Sequence, residues 1–199
     1  QYLSKLRDGS VDIIVGTQMI TKGLDLPKLS VVGIINADSG LLIPDFAAAE
    51  RTYQLVGQVV GRVGRGHRAG LIVLQTYNPK NVTLLDALEQ NYDSFYHREI
   101  MERQAYRFPP FCFMIRLTCL RATSKSAETA AQKLKLSLER AYAINTITIE
   151  GPSPGFHPRE SGKYKWQLIV KSGSRQKLVH IANNLPSGWH HNLDPVDLL

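Results

Sequence analysis

Two arginines, Arg62 and Arg65, stand three residues apart in the string Gln58-Val-Val-Gly-Arg-Val-Gly-Arg-Gly66, and each follows a glycine. On a helix, positions three apart share a face. Two guanidiniums on one face, flanked by residues without bulk, can approach a polyphosphate closely. Arginine suits that task because its planar, permanently charged fork grips phosphate oxygens in pairs. An arginine aimed at a transferring phosphoryl group stabilises the charge that develops there. The plain alternative is a solvated basic helix end whose cations complement the helix dipole.

These groups need a scaffold. Residues 46–60 are amphipathic and alanine-rich and predict a helix leading into the arginines. Short apolar runs at 11–15, 31–35 and 71–75 predict strands. Strands alternating with helices give a parallel α/β sheet, whose ligands bind at the loops after the carboxyl ends of strands. Gly16 and Thr17 sit at such a place. Residues 81–107 predict one long helix with an apolar stripe that includes Leu84, Leu88, Tyr92 and Phe95. The proline pair in Arg107-Phe-Pro-Pro-Phe111 ends it.

Beyond that boundary the order changes to β-α-β-β-α-β, the split β-α-β plan. Residues 111–119 alternate as a strand, and 125–143 predict a helix with Ser124 or Ser126 as N-cap. A strand at 146–150 is stopped by Gly151-Pro152. A strand at 164–171, a helix at 175–185 and a strand at 189–193 complete the series. Arg159, Lys163, Lys165, Lys171, Arg175 and Lys177 gather around the third strand, with Tyr164 and Trp166 among them. Cations beside aromatic rings suit phosphates and stacked bases. Packing of the two rings against a helix is the other use of such a pair.

Composition narrows the classes. The 199 residues are 43% hydrophobic and 21% charged, with a net charge of +7 that favours an anionic partner, nucleic acid first. No apolar run is long enough to cross a bilayer as a helix, so no membrane partner is expected. Cys112 and Cys119 are the only cysteines. They give no tetrahedral zinc set and no disulfide framework, which fits a reducing cytoplasm, and no metal site is expected in this chain. Residues 1–9 read as a helix end with a glycine stop, and no phosphate loop or Asp-Glu metal box is present. The expectation is a C-terminal piece of a longer protein.

The stretch Gly16-Thr-Gln-Met-Ile-Thr-Lys-Gly-Leu-Asp-Leu-Pro27, followed downstream by the Gly-Arg-Val-Gly-Arg string, resembles motifs V and VI of superfamily 2 helicases. The wording of residues 36–55, Leu74-Gln-Thr-Tyr-Asn-Pro79, Arg107-Phe-Pro-Pro-Phe111, Tyr164-Lys-Trp-Gln-Leu168 and Asp194-Pro-Val-Asp197 looks like the bacterial primosomal replication-restart helicases of that superfamily. The resemblance implies most of a second RecA-like lobe over 1–80, a connecting helix over 81–107, and an α+β, S10-like domain over 108–199 that binds DNA or partners.

The resemblance also assigns roles. Gly23 and Asp25 match groups that contact the nucleotide ribose. Thr17 and Gln18 match contacts to the nucleic-acid backbone, to which Lys22 adds charge unless it is an ordinary exposed lysine. Gln58, Arg62 and Arg65 match the residues that reach toward ATP, with Arg65 as the finger. ATP and magnesium are implied, bound mainly by a first lobe outside this chain, so the chain alone is expected not to hydrolyse ATP. Zinc is implied only upstream. Arg159, Lys163 and Lys165 are the candidates for DNA, and Arg175 with Lys171 for a protein partner. The implied task is 3′→5′ DNA unwinding at stalled or branched forks and restart of replication. The implied partners are branched and single-stranded DNA, single-stranded DNA-binding protein and other primosome proteins. The rival reading is a non-catalytic DNA- or protein-binding module derived from a helicase.

Overall fold

The computed structural model describes residues 11–17, 29–63, 70–143 and 145–199. The chain divides into two compact units, Gln1–Ile100 and Met101–Leu199.

In the first unit, β1 (Val31–Ile34) and β2 (Leu71–Leu74) pair in parallel, Val31 against Leu71 and Ile34 against Leu74. Parallel neighbours need a crossover, and α1 (Ala48–Val60) lies within it. Side chains alternate across the pair. Ile34 and Leu74 pack with Val56, Leu84 and Ala87, whereas Val31, Leu71 and Val73 on the other face stay exposed. The strand expected at 11–15 does not form, and Val15 is 90% exposed. A strand exists only through its partner's hydrogen bonds, and none of the described strands lies beside this run.

The long helix expected over 81–107 is two helices, α2 (Val82–Glu89) and α3 (Tyr92–Ala105). Gln90 takes a left-handed conformation with φ 55° and turns the chain. Asparagines cap both starts: the Asn81 side chain accepts the N–H groups of Thr83 and Leu84, and that of Asn91 accepts the N–H of Ser94. Such caps satisfy donors that a helix start leaves orphaned. Across the break, Arg98 pairs with Asp86 at 2.6 Å. Phe95 stacks on Tyr53 of α1 with ring centres 4.2 Å apart.

The second unit has the expected order: β3 (Phe113–Arg121), α4 (Ser124–Ala141), β4 (Thr148–Glu160), β5 (Lys163–Ser172), α5 (Arg175–Asn183) and β6 (Trp189–Leu193). The sheet order is β4-β5-β3-β6, antiparallel throughout. That is the split β-α-β plan used twice, since β5 lies between β3 and β4, and β3 lies between β5 and β6. Ile115, Leu117, Leu168 and Val170 meet Leu134, Leu138, Leu178 and Ile181 of the two helices. The cap of α4 is Thr123, one residue before Ser124 and three before Ser126, in a reciprocal capping box with Ser126.

One expected boundary moves. Gly151-Pro152 was expected to stop the strand that begins near Thr146, yet β4 runs on to Glu160. Glu150 faces Ile169 and Ser153 faces Gln167, so Gly151 and Pro152 form a bulge that absorbs the proline without ending the pairing. Gly151 has φ 96°, and an added Cβ would stand 3.0 Å from the Gln167 carbonyl oxygen. Gly151→Ala is therefore expected to destabilise the second unit by about 1–3 kcal/mol. A urea melt in which this variant matches the unaltered chain would show that the bulge relaxes around a side chain.

Candidate functional site

The loops at the carboxyl ends of β1 and β2 are fastened to each other through one carboxylate. Asp38 sits in a 3-10 turn, Ala37–Gly40, directly after β1. The Thr76 hydroxyl donates to one Asp38 oxygen at 2.7 Å, and the Tyr77 N–H donates to the other at 2.9 Å. The Ala37 N–H reaches the Gln75 carbonyl at 3.0 Å. The Thr76 hydroxyl and then the Tyr77 N–H hold the Asp38 carboxyl below its ordinary range, against a smaller opposing effect of burial. Gly40 lets this turn press onto α1, since a Cβ there would meet the Thr52 hydroxyl oxygen at 2.6 Å.

Asp45 shapes the remainder of the loop. Its side chain is fully buried, accepts the Ala47 N–H at 2.8 Å and pairs with Arg51 at 3.3 Å. Glu50, beside Arg51 in sequence, instead accepts a hydrogen bond from Gln54. Asp38 and Asp45 thus both serve loop geometry.

The motif-bearing residues fall at the end of α1. Its buried stripe is Ala48, Thr52, Val56 and Val59, so Gln54 and Gln58 lie exposed on the opposite side. The helix stops at Val60, and Gly61 closes it by donating to the Gly57 and Val59 carbonyls. Arg62 is half-buried in the turn that follows and donates its N–H to the Val59 carbonyl. The glycine closure puts Arg62 past the end of α1, and the face expected to carry it with Arg65 falls partly outside the described residues. Arg65, Gln18, Lys22, Gly23 and Asp25 lie outside the described residues. Thr17 is exposed at the end of the unpaired run.

In the second unit the basic residues do not form one patch. Alternate residues of β5 take opposite faces. Tyr164, Trp166, Leu168 and Val170 share the helix-covered side, and Lys163, Lys165, Gln167 and Lys171 the other. Trp166 is half-buried and stands opposite the fully buried Cys119, on the same face of the sheet. Tyr164 lies at the end of that face, where the Arg159 guanidinium stacks 4.6 Å from its ring centre and donates to its hydroxyl. Lys165 pairs with Glu160 at 3.3 Å. Lys163 is exposed and makes no ion pair among the described residues. Arg175 is exposed and uses its Nε to hold Asp194 at 2.8 Å.

Lys171 is a correction. Proposed from sequence as a partner contact, it is 4% exposed. Its ammonium pairs with Glu150 at 2.6 Å, donates to the Tyr106 carbonyl at 3.2 Å and lies 3.8 Å from the Phe108 ring centre. It clamps the segment before β3 onto the sheet instead of facing outward. Burial also pushes up the thiols of Cys112 and Cys119, which therefore stay protonated. Among the described residues, no group of three His, Cys, Asp or Glu side chains could hold a metal ion, and no helix is long and apolar enough to cross a membrane.

Sequence reasoning missed the Asp38–Thr76 tie and an exposed aromatic, Phe156. The first joins residues far apart in sequence and leaves no local pattern. The second is marked by Gly-Phe-His-Pro inside a strand, a string that resists regular pairing.

Comparison with known proteins adds two family matches. Residues 1–70 match the helicase conserved C-terminal domain, and residues 104–195 match the primosomal protein N C-terminal domain. The chain is 37% identical over 196 residues to replication restart protein PriA of Synechocystis sp., covering 96% of this chain and 24% of that protein. It is 36% identical over 194 residues to PriA of Bacillus subtilis, covering 98% and 24%. It is 34% identical over 207 residues to PriA of Treponema pallidum, covering 100% and 31%. The chain thus spans about a quarter to a third of the length of these curated relatives.

Two outcomes follow from the geometry. A carboxyl whose folded pKa is depressed adds stability that is present above its unfolded value, about 3.9, and is lost as pH falls through the folded value. Asp38→Asn is expected to lower the melting temperature at neutral pH, with the gap to the unaltered chain closing as the pH drops below about 4. A gap that persists unchanged in stronger acid would mean that the ionised carboxylate is not what ties the loops. Lys171→Ala is expected to cost about 1–2 kcal/mol in urea unfolding, because it removes a hydrogen bond, a cation–ring contact and an ion pair whose carboxylate is half-exposed. A change near zero would contradict the clamp.

Proposed function

The chain belongs to the PriA family of replication restart proteins, and from that membership we propose that it forms part of an ATP-dependent DNA helicase that restarts replication at stalled or branched forks. The observation that carries the reading is the succession, in one chain, of a helicase C-terminal match over residues 1–70 and a primosomal C-terminal match over residues 104–195. The proposed domains are 1–80 as the C-terminal part of a second RecA-like lobe, 81–107 as connecting helices, and 108–199 as the domain for DNA and partners.

In this reading Gln58, Arg62 and Arg65 reach the phosphates of ATP, while Gly23 and Asp25 meet the ribose. The exposed amide of Gln58 and the guanidinium of Arg62 just beyond a helix end fit that use, because both donate to phosphate oxygens. ATP with magnesium, held mainly by a lobe outside this chain, supplies the phosphoryl-transfer chemistry. Arg65 offsets the charge that develops on the transferring group. Thr17, Gln18 and Lys22 hold the DNA backbone. Loops tied by Asp38 pass the state of one site to the other, so that cycles of closure and opening move the protein 3′→5′ along single-stranded DNA. Half of the nucleotide site is not a site, so the 199-residue chain alone does not hydrolyse ATP.

The second unit binds branched or single-stranded DNA through Arg159, Lys163 and Lys165. Arg175 keeps its terminal nitrogens for an acidic partner, such as the tail of single-stranded DNA-binding protein, and other primosome proteins join in the cytoplasm. The alternative is a DNA- or protein-binding module that keeps a helicase fold without the motor.

The deciding experiment is DNA-stimulated ATP hydrolysis by the full-length protein, beside Arg65→Ala. The expected result is a loss of roughly a thousandfold in rate with DNA binding retained. No DNA-stimulated hydrolysis by the unaltered protein would favour the binding module.

A further inference from the structure

The sheet of the second unit ends in two strands of opposite character. In the order β4-β5-β3-β6, β4 and β6 are outermost. An edge strand offers unpaired N–H and C=O groups to another chain, and folded proteins blunt such edges with prolines, charges or bulges. β4 is blunted in that way. It holds Pro152, Pro154 and Pro158, and its pairing with β5 shifts register twice. β6, Trp189-His-His-Asn-Leu193, holds no proline and no Lys, Arg, Asp or Glu, and it pairs with β3 in one unbroken register. Among the described residues, no strand pairs with its outer side.

One hydrogen bond fixes which backbone groups face outward. The Asp194 N–H donates to the Met114 carbonyl at 2.8 Å, next to the pairing of Leu193 with Ile115. In an antiparallel ladder, bonded pairs alternate with unbonded ones. Asn192 and His190 therefore bond to β3, whereas Trp189, His191 and Leu193 turn their backbone groups away from it. The Trp189 N–H is taken by the Pro186 carbonyl at 3.3 Å. The N–H groups of His191 and Leu193 and the carbonyls of Trp189, His191 and Leu193 make up the open edge.

This edge is complementary to itself. When a second β6 lies antiparallel to the first with His191 opposite His191, the two histidines exchange N–H···O=C bonds. Each Leu193 N–H then meets the Trp189 carbonyl of the other copy. On the helix-covered face, half-buried Trp189 stands opposite half-buried Leu193 of the other copy, both already packed against the core. On the open face, His190 stands opposite Asn192. A slip of two residues in either direction would part Trp189 from Leu193. The same register sets Asp194 opposite Gly188 of the other copy, whose carbonyl the Arg121 guanidinium holds at 3.1 Å. Each end of the pairing thus sets a carboxylate toward a cation. We propose that β6 is a self-pairing edge, through which two copies of the chain join about a two-fold axis at His191 and make one continuous sheet. A two-fold contact uses the same patch on both copies. One strand pair buries less than a stable dimer needs, so the association is weak and depends on concentration. It is independent of the helicase reading.

The test is sedimentation velocity of the 199-residue chain over a dilution series from about 1 to 300 µM, where a small interface associates. The average mass is expected to rise toward that of two chains as concentration increases. His191→Pro is expected to hold it at one chain throughout. That change deletes an N–H that faces away from β3, and proline is tolerated at such edge positions. His191→Lys leaves the backbone intact, so it serves even if the proline disturbs the fold. It sets two cations opposite each other and is expected to weaken the association roughly fivefold. Thermal melts at the lowest concentration check that both variants keep the fold. An unaltered chain that stays single across the series would overturn the pairing and leave the edge to a strand of another protein. A dimer that neither variant weakens would overturn it as well, and would move the contact to another surface.

Discussion

The second unit depends on the register of β3 against β5. Nine consecutive pairs, from Phe113 with Ser172 to Arg121 with Tyr164, run without interruption. A slip of one residue would exchange the two faces of the sheet. Leu168 and Val170 would leave the helices, and Lys165, Gln167 and Lys171 would enter the core in their place. The cost of burying three unpaired polar side chains far exceeds what any local propensity could offset. Every other feature of the unit is placed relative to this ladder. β4 can bulge twice because β5 is held on its other side by β3. The basic residues that remain outside do so because their alternates are fixed inside.

The same ladder explains why lysines of one strand have different fates. Lys163 lies exposed at the hairpin end. Lys171 lies at the opposite end of that face, where the Tyr106–Phe108 segment crosses it. The tail following β6 is also bound to this face. Arg116 pairs with Asp197 at 3.6 Å and donates to the Leu199 carbonyl, and the Asp194 N–H reaches the Met114 carbonyl. Chain segments on either side of the sheet thus lie against one end of the open face, and Lys163 stands exposed at the other.

The sequence made the split β-α-β order legible because its signals are local: apolar alternation along β3, a helical period along α4, and glycine or proline at the turns. It made the motifs legible because their residue types are unusual at that spacing. What it hid is nonlocal or concerns pairing. The apolar run at 11–15 has the composition of a strand, but composition does not supply a partner. Gly151-Pro152 has the look of a stop, but β5 holds the backbone on both sides of it. Lys171 has the look of a surface residue, because no local pattern announces the Glu150 carboxylate and the Phe108 ring that make its burial tolerable. Gln90 breaks a helix that its neighbours favour, since Asn91 starts a new cap at once and Arg98 ties the two pieces through Asp86.

The first unit shows how a small piece of parallel sheet can order its loops. A parallel pair is normally covered on both faces; among the described residues Val31, Leu71 and Val73 on one face are exposed. Polar ties carry the loop geometry: Asp38 to Thr76 and Tyr77, and Asp45 to Ala47 and Arg51. Each gives a carboxylate hydrogen-bond partners: a hydroxyl and a backbone N–H for Asp38, a backbone N–H and a guanidinium for Asp45. The result is a pair of strand-end loops joined through the Asp38 carboxylate.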